Sequence, residues 1–524
     1  MSPISRREFL AASAALGALP SIRGAEPRAP VLDPPFLHGV ASGDPLADRV
    51  ILWTRVSPVG ARGPVLVAWE LARDPRFTRT VARGEAETGA TRDFTVKVDV
   101  SGLEPGTTYY YRFTIAGSRS PVGRTRTLPE AGVSRVRLGV VSCANLSYGY
   151  FNAYSCLARR AELDAVLHLG DYLYEGRGRR NASERVPIPA GETVALEDYR
   201  ERHAQYKADP DAQDVHRQHP FIVVWDDHEI SDNAWTGGAL GHDPKREGDW
   251  LVRRAAALQA YFEWMPIREN RETQERRIYR TFRFGALADL IMLDTRIVGR
   301  DKQVGSDLGE LAAPTRTILG GAQEQWLAGN LAGSVRAGTP WQILGQQVMF
   351  APQVLAGEPS QNSDTWDGYR ACRERVFDMV ERAGVKNLAV LTGDMHSSWV
   401  YDLPRRPFDE YDSATGRGSL GVELVGTSVT SPNRLGRGRD GERQLAALRD
   451  ARPHLHYVDG RYRGYFVVDL TRERLQADYY AMSTIEERST DEEFVKGFAT
   501  EPGRNHLVEV VSPAAAMAAP EPAP

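Results

Sequence analysis

Several short apolar runs in this chain end in side chains that bind cations or carry protons. Arg135–Val141 runs into Ser142-Cys143, and Ala165–Leu169 is stopped by Gly170, with Asp171 next and Tyr174 three residues further on. Pro220–Trp225 runs into Asp226-Asp227-His228-Glu229, and Asn387–Leu391 into Thr392-Gly393-Asp394-Met395-His396. Each motif alone is a weak sign, since a Gly-Asp turn after a strand is commonly only a turn. Together they are hard to explain by packing, because buried charges need partners or metals. The closely spaced Cys and His residues of a structural zinc site are absent. A thiolate, a phenolate and hard carboxylates suit a trivalent iron beside a hard, oxygen-liking divalent ion. Two metals sharing one carboxylate can activate a water and hold the oxygens of a phosphoryl group. The alternative for Cys143 is an inert core thiol. Cys156 and Cys372 sit in helical stretches and read as structural.

The elements that must position these groups read as an α/β domain. Short apolar runs bounded by turn residues are the pattern of buried parallel strands, and Asp171 falls past a strand's carboxyl end, where open α/β sheets place ligands. From Arg135 to about Tyr480 such strands alternate with helical stretches at Tyr154–Leu163, Trp250–Trp264 and Cys372–Ala383. Leu290–Asp294 and Gln342–Gln347 read as further strands, and Arg461–Tyr480 as a hairpin turning near Thr471–Arg474. Ahead of a linker at Thr127–Gly132, the pattern from His38 to Leu128 is all-β, with strands at Val50–Thr54, Val65–Leu71, Phe94–Val98 and Tyr109–Ile115. Within it, Leu103–Tyr111 resembles the corner of fibronectin type III domains, where a Tyr hydroxyl ties back to the backbone. That Tyr cluster reads as structural.

A chain of 524 residues is too long for one core. Its net charge of −4 argues against a dedicated nucleic-acid or anionic-membrane surface, and three cysteines are no disulfide framework. Ser5-Arg6-Arg7-Glu8-Phe9-Leu10 is a twin-arginine pattern, followed by an Ala-rich run, Ala11–Leu19, too short to span a bilayer. Cleavage is expected between Gly24 and Arg28, and the mature chain is expected in the periplasm or secreted, delivered by the twin-arginine (Tat) export machinery. That route carries folded proteins, which suits one that loads metal before export. No later segment reads as a transmembrane helix. Ser512–Pro524 is Ala/Pro-rich and expected to be disordered.

The combination of motifs is similar to the alkaline phosphatase D (PhoD-like) family of metallophosphoesterases, over nearly the whole mature chain. The likeness rests on Phe36–Pro45 (FLHGVASGDP), Ser142-Cys143, His168–Glu175 (HLGDYLYE), Trp225–Glu229 (WDDHE) and Thr392–His396 (TGDMH). It implies a metallophosphoesterase αββα sandwich preceded by an all-β, fibronectin-III-like sandwich. The expected division is a signal peptide over 1–30, the β-sandwich over 31–130, the catalytic domain over 135–480, and a C-terminal segment over 481–524. The resemblance further implies that Cys143, Tyr174 and His396 bind Fe(3+), that Asp171 bridges both metals, and that Asp227 and Asp394 bind the second ion, Ca(2+). His228 would contact the phosphoryl oxygen or leaving group. Asp226, Asn233, Arg296 and Gln346 are further candidates for metal or phosphate contacts. Asp226 supports Asp227 or adds a ligand; Asp294 and Arg296 reach the phosphate or form a strand-end salt bridge. Gln346 or Gln347 stands on a strand where related enzymes often place a His. Arg461, His454 and His456 either rim the pocket or simply hydrate the surface.

The implied activity is hydrolysis of phosphate monoesters or diesters by a metal-activated water. Two other classes stay open at this point: a serine-nucleophile alkaline phosphatase using Ser142 or Ser397, and a secreted non-catalytic binding protein. The export reading has a direct test. Replacing Arg6 and Arg7 with Lys is expected to leave folded protein in the cytoplasm, as judged by fractionation, because the pair is read as an address. Normal appearance outside the membrane would rule it out.

Overall fold

The computed structural model describes residues 35–57, 63–178, 185–269, 276–305, 307–353, 358 and 362–524. The leader expected over 1–30, with its twin-arginine pattern, lies outside them. Among the described residues, no helix is long and apolar enough to cross a membrane.

The strand leading to Asp171 spans Ala165–His168 and is buried throughout. It pairs in parallel with Arg135–Val141 on one side and Pro220–Val223 on the other. A second parallel group runs Ala288–Met292, Trp341–Gln346, Leu388–Thr392 and Ser419–Val425. Alternation along these strands shows how they are buried on both faces. Leu290, Ile343, Ala389 and Leu391 join Val140, Leu167 and Ile222 in one core between the two sheets. Their neighbours Ile291, Leu344 and Val390 turn the other way, onto a core with Leu327, Leu331, Val376 and Phe377 from the helices Gly320–Arg336 and Arg370–Ala383. A period of two with apolar residues in both phases is what a strand inside a layered α/β structure requires. The expected helix Trp250–Trp264 is present with those bounds, started by Asp249, whose carboxylate accepts from the Leu251 and Val252 amides. Gly464–Thr471 and Leu475–Met482 form the expected hairpin.

The N-terminal region departs from a free-standing sandwich. Val40–Gly43 pairs in parallel with Pro220–Val223 and antiparallel with Arg49–Arg55, which in turn pairs with Thr95–Ser101. These strands thereby extend the first sheet to ten strands. A separate sheet of Thr80–Thr88, Val65–Ala72, Thr108–Ile115 and Ser118–Arg119, with Gly123–Arg126 beside it, closes over them. Their shared core includes Val50, Leu52, Val67, Leu71, Tyr109 and Phe113. Val40–Gly43 is only four residues long, VASG, with Val40 its one large apolar residue, so periodicity could not reveal it. The corner tie is present: the Glu104 amide donates to the Tyr109 hydroxyl at 2.9 Å.

The far edge of the same sheet also runs past the expected boundary at 480, through Glu492–Thr500 and Val508–Val510. The tail at 512–524 is ordered rather than disordered. The Ala514 amide donates to Asp478 at 2.8 Å, and Gln218 makes a reciprocal pair with the Ala523 backbone at 2.8 and 3.0 Å. Arg217 donates to the Pro524 carbonyl at 2.7 Å. The tail is held through its backbone groups, a bond type that its side-chain composition does not report.

Gly170 separates the central strand from Asp171, with φ +106°. A Cβ there would lie 2.4 Å from the Asp226 Cβ and 2.7 Å from its backbone nitrogen. Gly170→Ala is therefore expected to cost roughly 2–4 kcal/mol, as strain plus displacement of the 226 loop, in urea unfolding. A loss of only a few tenths would mean that the two loops are not in contact.

Candidate metal centre

Cys143, Asp171, Asp394 and His396 all adopt left-handed backbone, with φ of +61°, +56°, +62° and +53°, and Asn233 joins them at +53°. Such conformations cost non-glycine residues about 1–3 kcal/mol each and persist only where the surroundings over-determine them. Glu229 supplies that restraint at Asp171. Its buried carboxylate accepts from the amides of Asp171 (3.1 Å), Tyr172 (2.5 Å) and Asp226 (2.8 Å), fastening one strand-end loop to the next. Cys143 is tied in by its amide to the Gly170 carbonyl at 3.1 Å. The two sheets meet where Gly393 lies against Ser142, too close to admit a Cβ, 2.9 Å from the Ser142 Cβ.

These loops bring the donors together in overlapping groups. Cys143, Asp171 and His396 form one; Asp171, Asp227 and His228 a second; Asp226, Asp227 and Asp394 a third. Within each, the ligand atoms lie within 4.8 Å of one another. Asp171 is common to the first two and Asp227 to the last two. Tyr174 belongs with the first: its hydroxyl donates to Asp171 Oδ2 at 2.6 Å and lies 3.1 Å from His396 Nε2. Ser431 Oγ sits 2.6 Å from that phenol and 2.9 Å from the Cys143 carbonyl. His228 is aimed by Glu175, whose carboxylate takes its Nδ1 at 2.7 Å and the Asp232 amide at 2.7 Å. Its ring lies 4.2 Å from that of Tyr174.

Negative charge dominates the centre, and Arg296 is embedded in it. Its guanidinium, fully buried, reaches Asp226 through Nε, Asp364 at 2.6 Å, Asp394 at 3.0 Å and Asp227 at 3.7 Å. Arg296 thus forms salt bridges with the acids of the centre. Burial works against ionised Asp227, yet Arg296, His228 and the Asn233 amide hold its carboxyl below the usual range. Asp394 is pushed up to about 7 by burial, with Asp364, Asp227 and Asp171 adding to it against Arg296. Burial likewise drives Asp226, the Cys143 thiol and the Tyr174 phenol well upward, Asp171 contributing to each. His228 is raised well above an ordinary imidazole: burial opposes its charge, but Glu175, Asp227 and Asp171 outweigh it. Asp171 Oδ1 and Asp226 Oδ2 are buried with no hydrogen-bond partner. Orphaned carboxylate oxygens beside acids that retain their protons fit a site built for cations, which would deprotonate those acids on binding.

Other candidates fall elsewhere. The Gln346 amide is taken up by Val348, Thr392 and Trp366, and that of Gln347 by Trp225, Leu293 and Thr295, so both brace the strand ends. Asn233 contributes its backbone amide to Asp227 at 2.6 Å, and its side-chain amide, oriented with the nitrogen toward the carboxylate, donates to Asp364 at 3.0 Å. Asp294 accepts from the amides of Arg296 and Ile297, both at 2.8 Å, and so sets the turn that delivers the guanidinium. His454 is buried on the Pro352 carbonyl, His456 faces Asp402, and Arg461 pairs with Asp459 and Glu442; none lines this centre. Ser397 donates to the Met395 carbonyl, and Ser142 Oγ lies 3.2 Å from Cys143 Sγ. Sequence reasoning gave no role to Glu175, Glu229, Asp364 or Ser431. The first two stand inside the quoted motifs, whereas Asp364 and Ser431 stand in stretches with no motif.

Comparison with known proteins places these features in a family. Residues 138–479 match the model for PhoD-like phosphatase, and residues 23–129 that for the PhoD-like phosphatase N-terminal domain. The chain is 38% identical over 473 residues to alkaline phosphatase D of Bacillus subtilis (strain 168), covering 86% of this chain and 78% of that protein. A solved structure described as that of PhoD superimposes with a TM-score of 0.83 at 36% identity, covering 93% of this chain and 94% of the other.

The embedded guanidinium yields a prediction. Arg296→Met leaves its carboxylate partners facing one another without compensation, so the metal-free protein is expected to lose about 3–5 kcal/mol in urea unfolding. Added divalent cation is expected to recover part of that loss. A change below about 1 kcal/mol would mean that the acids are already neutral without Arg296.

Proposed function

The chain belongs to the PhoD-like phosphatase family and is a phosphoric ester hydrolase, and on that premise we propose that it hydrolyses phosphate mono- or diesters at a centre of one ferric ion and calcium. The observation that carries this reading is the sharing of Asp171 between two donor groups of different chemistry. Cys143, Tyr174 and His396 would complete the iron side, and their thiolate, phenolate and imidazole suit a trivalent ion. Asp227 and Asp394, with Asp226 behind them, would complete the all-oxygen side that suits calcium. Metals so held supply Lewis acidity and lower the pKa of a water.

The chain's own residues account for the rest. Arg296 neutralises the outer carboxylates, which keeps Asp227 ionised and limits the repulsion that assembling the site must overcome. His228 has Nδ1 committed to Glu175, leaving Nε2 as the end that carries a proton toward a leaving oxygen. Export along the twin-arginine route is part of the proposal, supported by Arg6-Arg7.

Metal analysis of exported protein together with a panel of aryl and alkyl esters tests the reading. The isolated enzyme is expected to carry iron and a visible charge-transfer band. Tyr174→Phe should bleach or shift that band with little loss of fold, with Cys143→Ser as the thiolate control. Iron whose spectrum is unchanged in Tyr174→Phe would remove Tyr174 from the ligand set. His228→Ala is expected to keep its metals while losing about 10²-fold or more on alkyl esters and far less on nitrophenyl esters. Equal losses on both would make His228 a stabiliser of phosphoryl charge instead.

A further inference from the structure

Away from that centre, a second set of donor side chains lies where the far edges of the two large sheets come together. Asp402, on the strand Ser398–Pro404, is fully buried, and its carboxylate faces two imidazoles. His506 Nδ1 lies 2.6 Å from Oδ2, and His456 Nε2 lies 3.0 Å from Oδ1. The three ligand atoms fall within 4.8 Å of one another, and the rings are 5.2 Å apart at 67°. The carboxylate is oriented from behind by the Tyr411 hydroxyl at 2.7 Å and the Leu507 amide at 2.9 Å. His506 is fixed in turn by Gly416, where a Cβ would come within 2.4 Å of the His506 Cβ.

His456 Nε2 is buried and has no aligned hydrogen bond, although the carboxylate oxygen is only 3.0 Å away. The ring approaches that oxygen off the N–H axis. That leaves the His456 nitrogen uncommitted beside the carboxylate, while His506 Nδ1 keeps an aligned hydrogen bond to Oδ2 that a bound cation would replace. We propose that Asp402, His456 and His506 form a zinc-type divalent cation site, separate from the catalytic centre, that staples the turn after Glu492–Thr500 to the strands Ser398–Pro404 and Leu455–Asp459.

The donor chemistry selects the metal class. Two imidazoles and one carboxylate suit zinc, with a water as the fourth ligand, whereas calcium takes oxygen ligands. Tetrahedral zinc spaces its ligand atoms about 3.3 Å apart, so binding would spread the present contacts by a fraction of an ångström. The hydrogen bonds to the back of the carboxylate are the outer shell that such sites use to aim their ligands. The imidazole side chains are 17% and 18% exposed, which leaves an entry path. The staple would fasten an edge of the ten-stranded sheet to an edge of the seven-stranded one.

The full-length holoenzyme, cleared of loosely held metal, would be titrated with Zn(2+) alone by calorimetry, with metal counted per chain. Wild type is expected to take up one equivalent beyond its catalytic complement and to rise several degrees in Tm. His456→Ala/His506→Ala is expected to lose that equivalent, or bind it at least about 100-fold more weakly, while hydrolysing esters as wild type does. Tyr411→Phe should retain it. Co(2+) loading adds a spectroscopic readout, as the wild type should show four-coordinate d–d bands that the double variant lacks. No additional equivalent in the wild type, a result that needs no variant, would overturn the proposal. So would equal uptake by the double variant.

Discussion

Burying several carboxylates at one point is a cost that packing cannot offset, and the layout of this protein follows from managing it. Asp171, Asp226, Asp227 and Asp394 stand at the carboxyl ends of strands from two different sheets, within reach of one another. One guanidinium, Arg296, bridges the outer members and Asp364. On the inner face, toward Cys143, Tyr174 and His396, burial and Asp171 drive the thiol and the phenol upward, and His228 is a cation the chain places beside them.

Holding the groups in place needs restraint from outside the donor set. Glu229 and Glu175 provide it without pointing at the centre. The first clamps the amides of two strand-end loops, and the second aims His228. Of the left-handed residues, Asp171 sits in a loop that Glu229 clamps, and Cys143 is fastened to that loop through the Gly170 carbonyl. Both sheets must be intact for the donors to meet, which ties the site to the core that lies between them.

Much of this was legible in the chain. The strands ending at Val141, His168, Val223 and Thr392 are short apolar runs, and the donors stand two to six residues beyond them. What could not be read is which loop faces which. Arg296 at a strand end is equally consistent with a phosphate ligand and an internal counter-charge, and only the facing carboxylates decide. Gln346 looked like a ligand position because of its strand, yet its amide is saturated by Val348, Thr392 and Trp366. Val40–Gly43 was too short and polar to show as a strand, so the continuity of the N-terminal region with the first sheet stayed hidden. The tail beyond Ser512 looked disordered because its side chains say nothing about its backbone bonds.

The central claim is that Asp171 is shared by two cations, and the metal content of Asp171→Ala tests it most directly. Folded variant protein, prepared alongside wild type and analysed for iron and calcium per chain, is predicted to lose both metals together with ester hydrolysis. Retention of both metals at wild-type stoichiometry would contradict the account, because among the described residues no other carboxylate belongs to both the thiolate-containing group and the group containing Asp227 and His228.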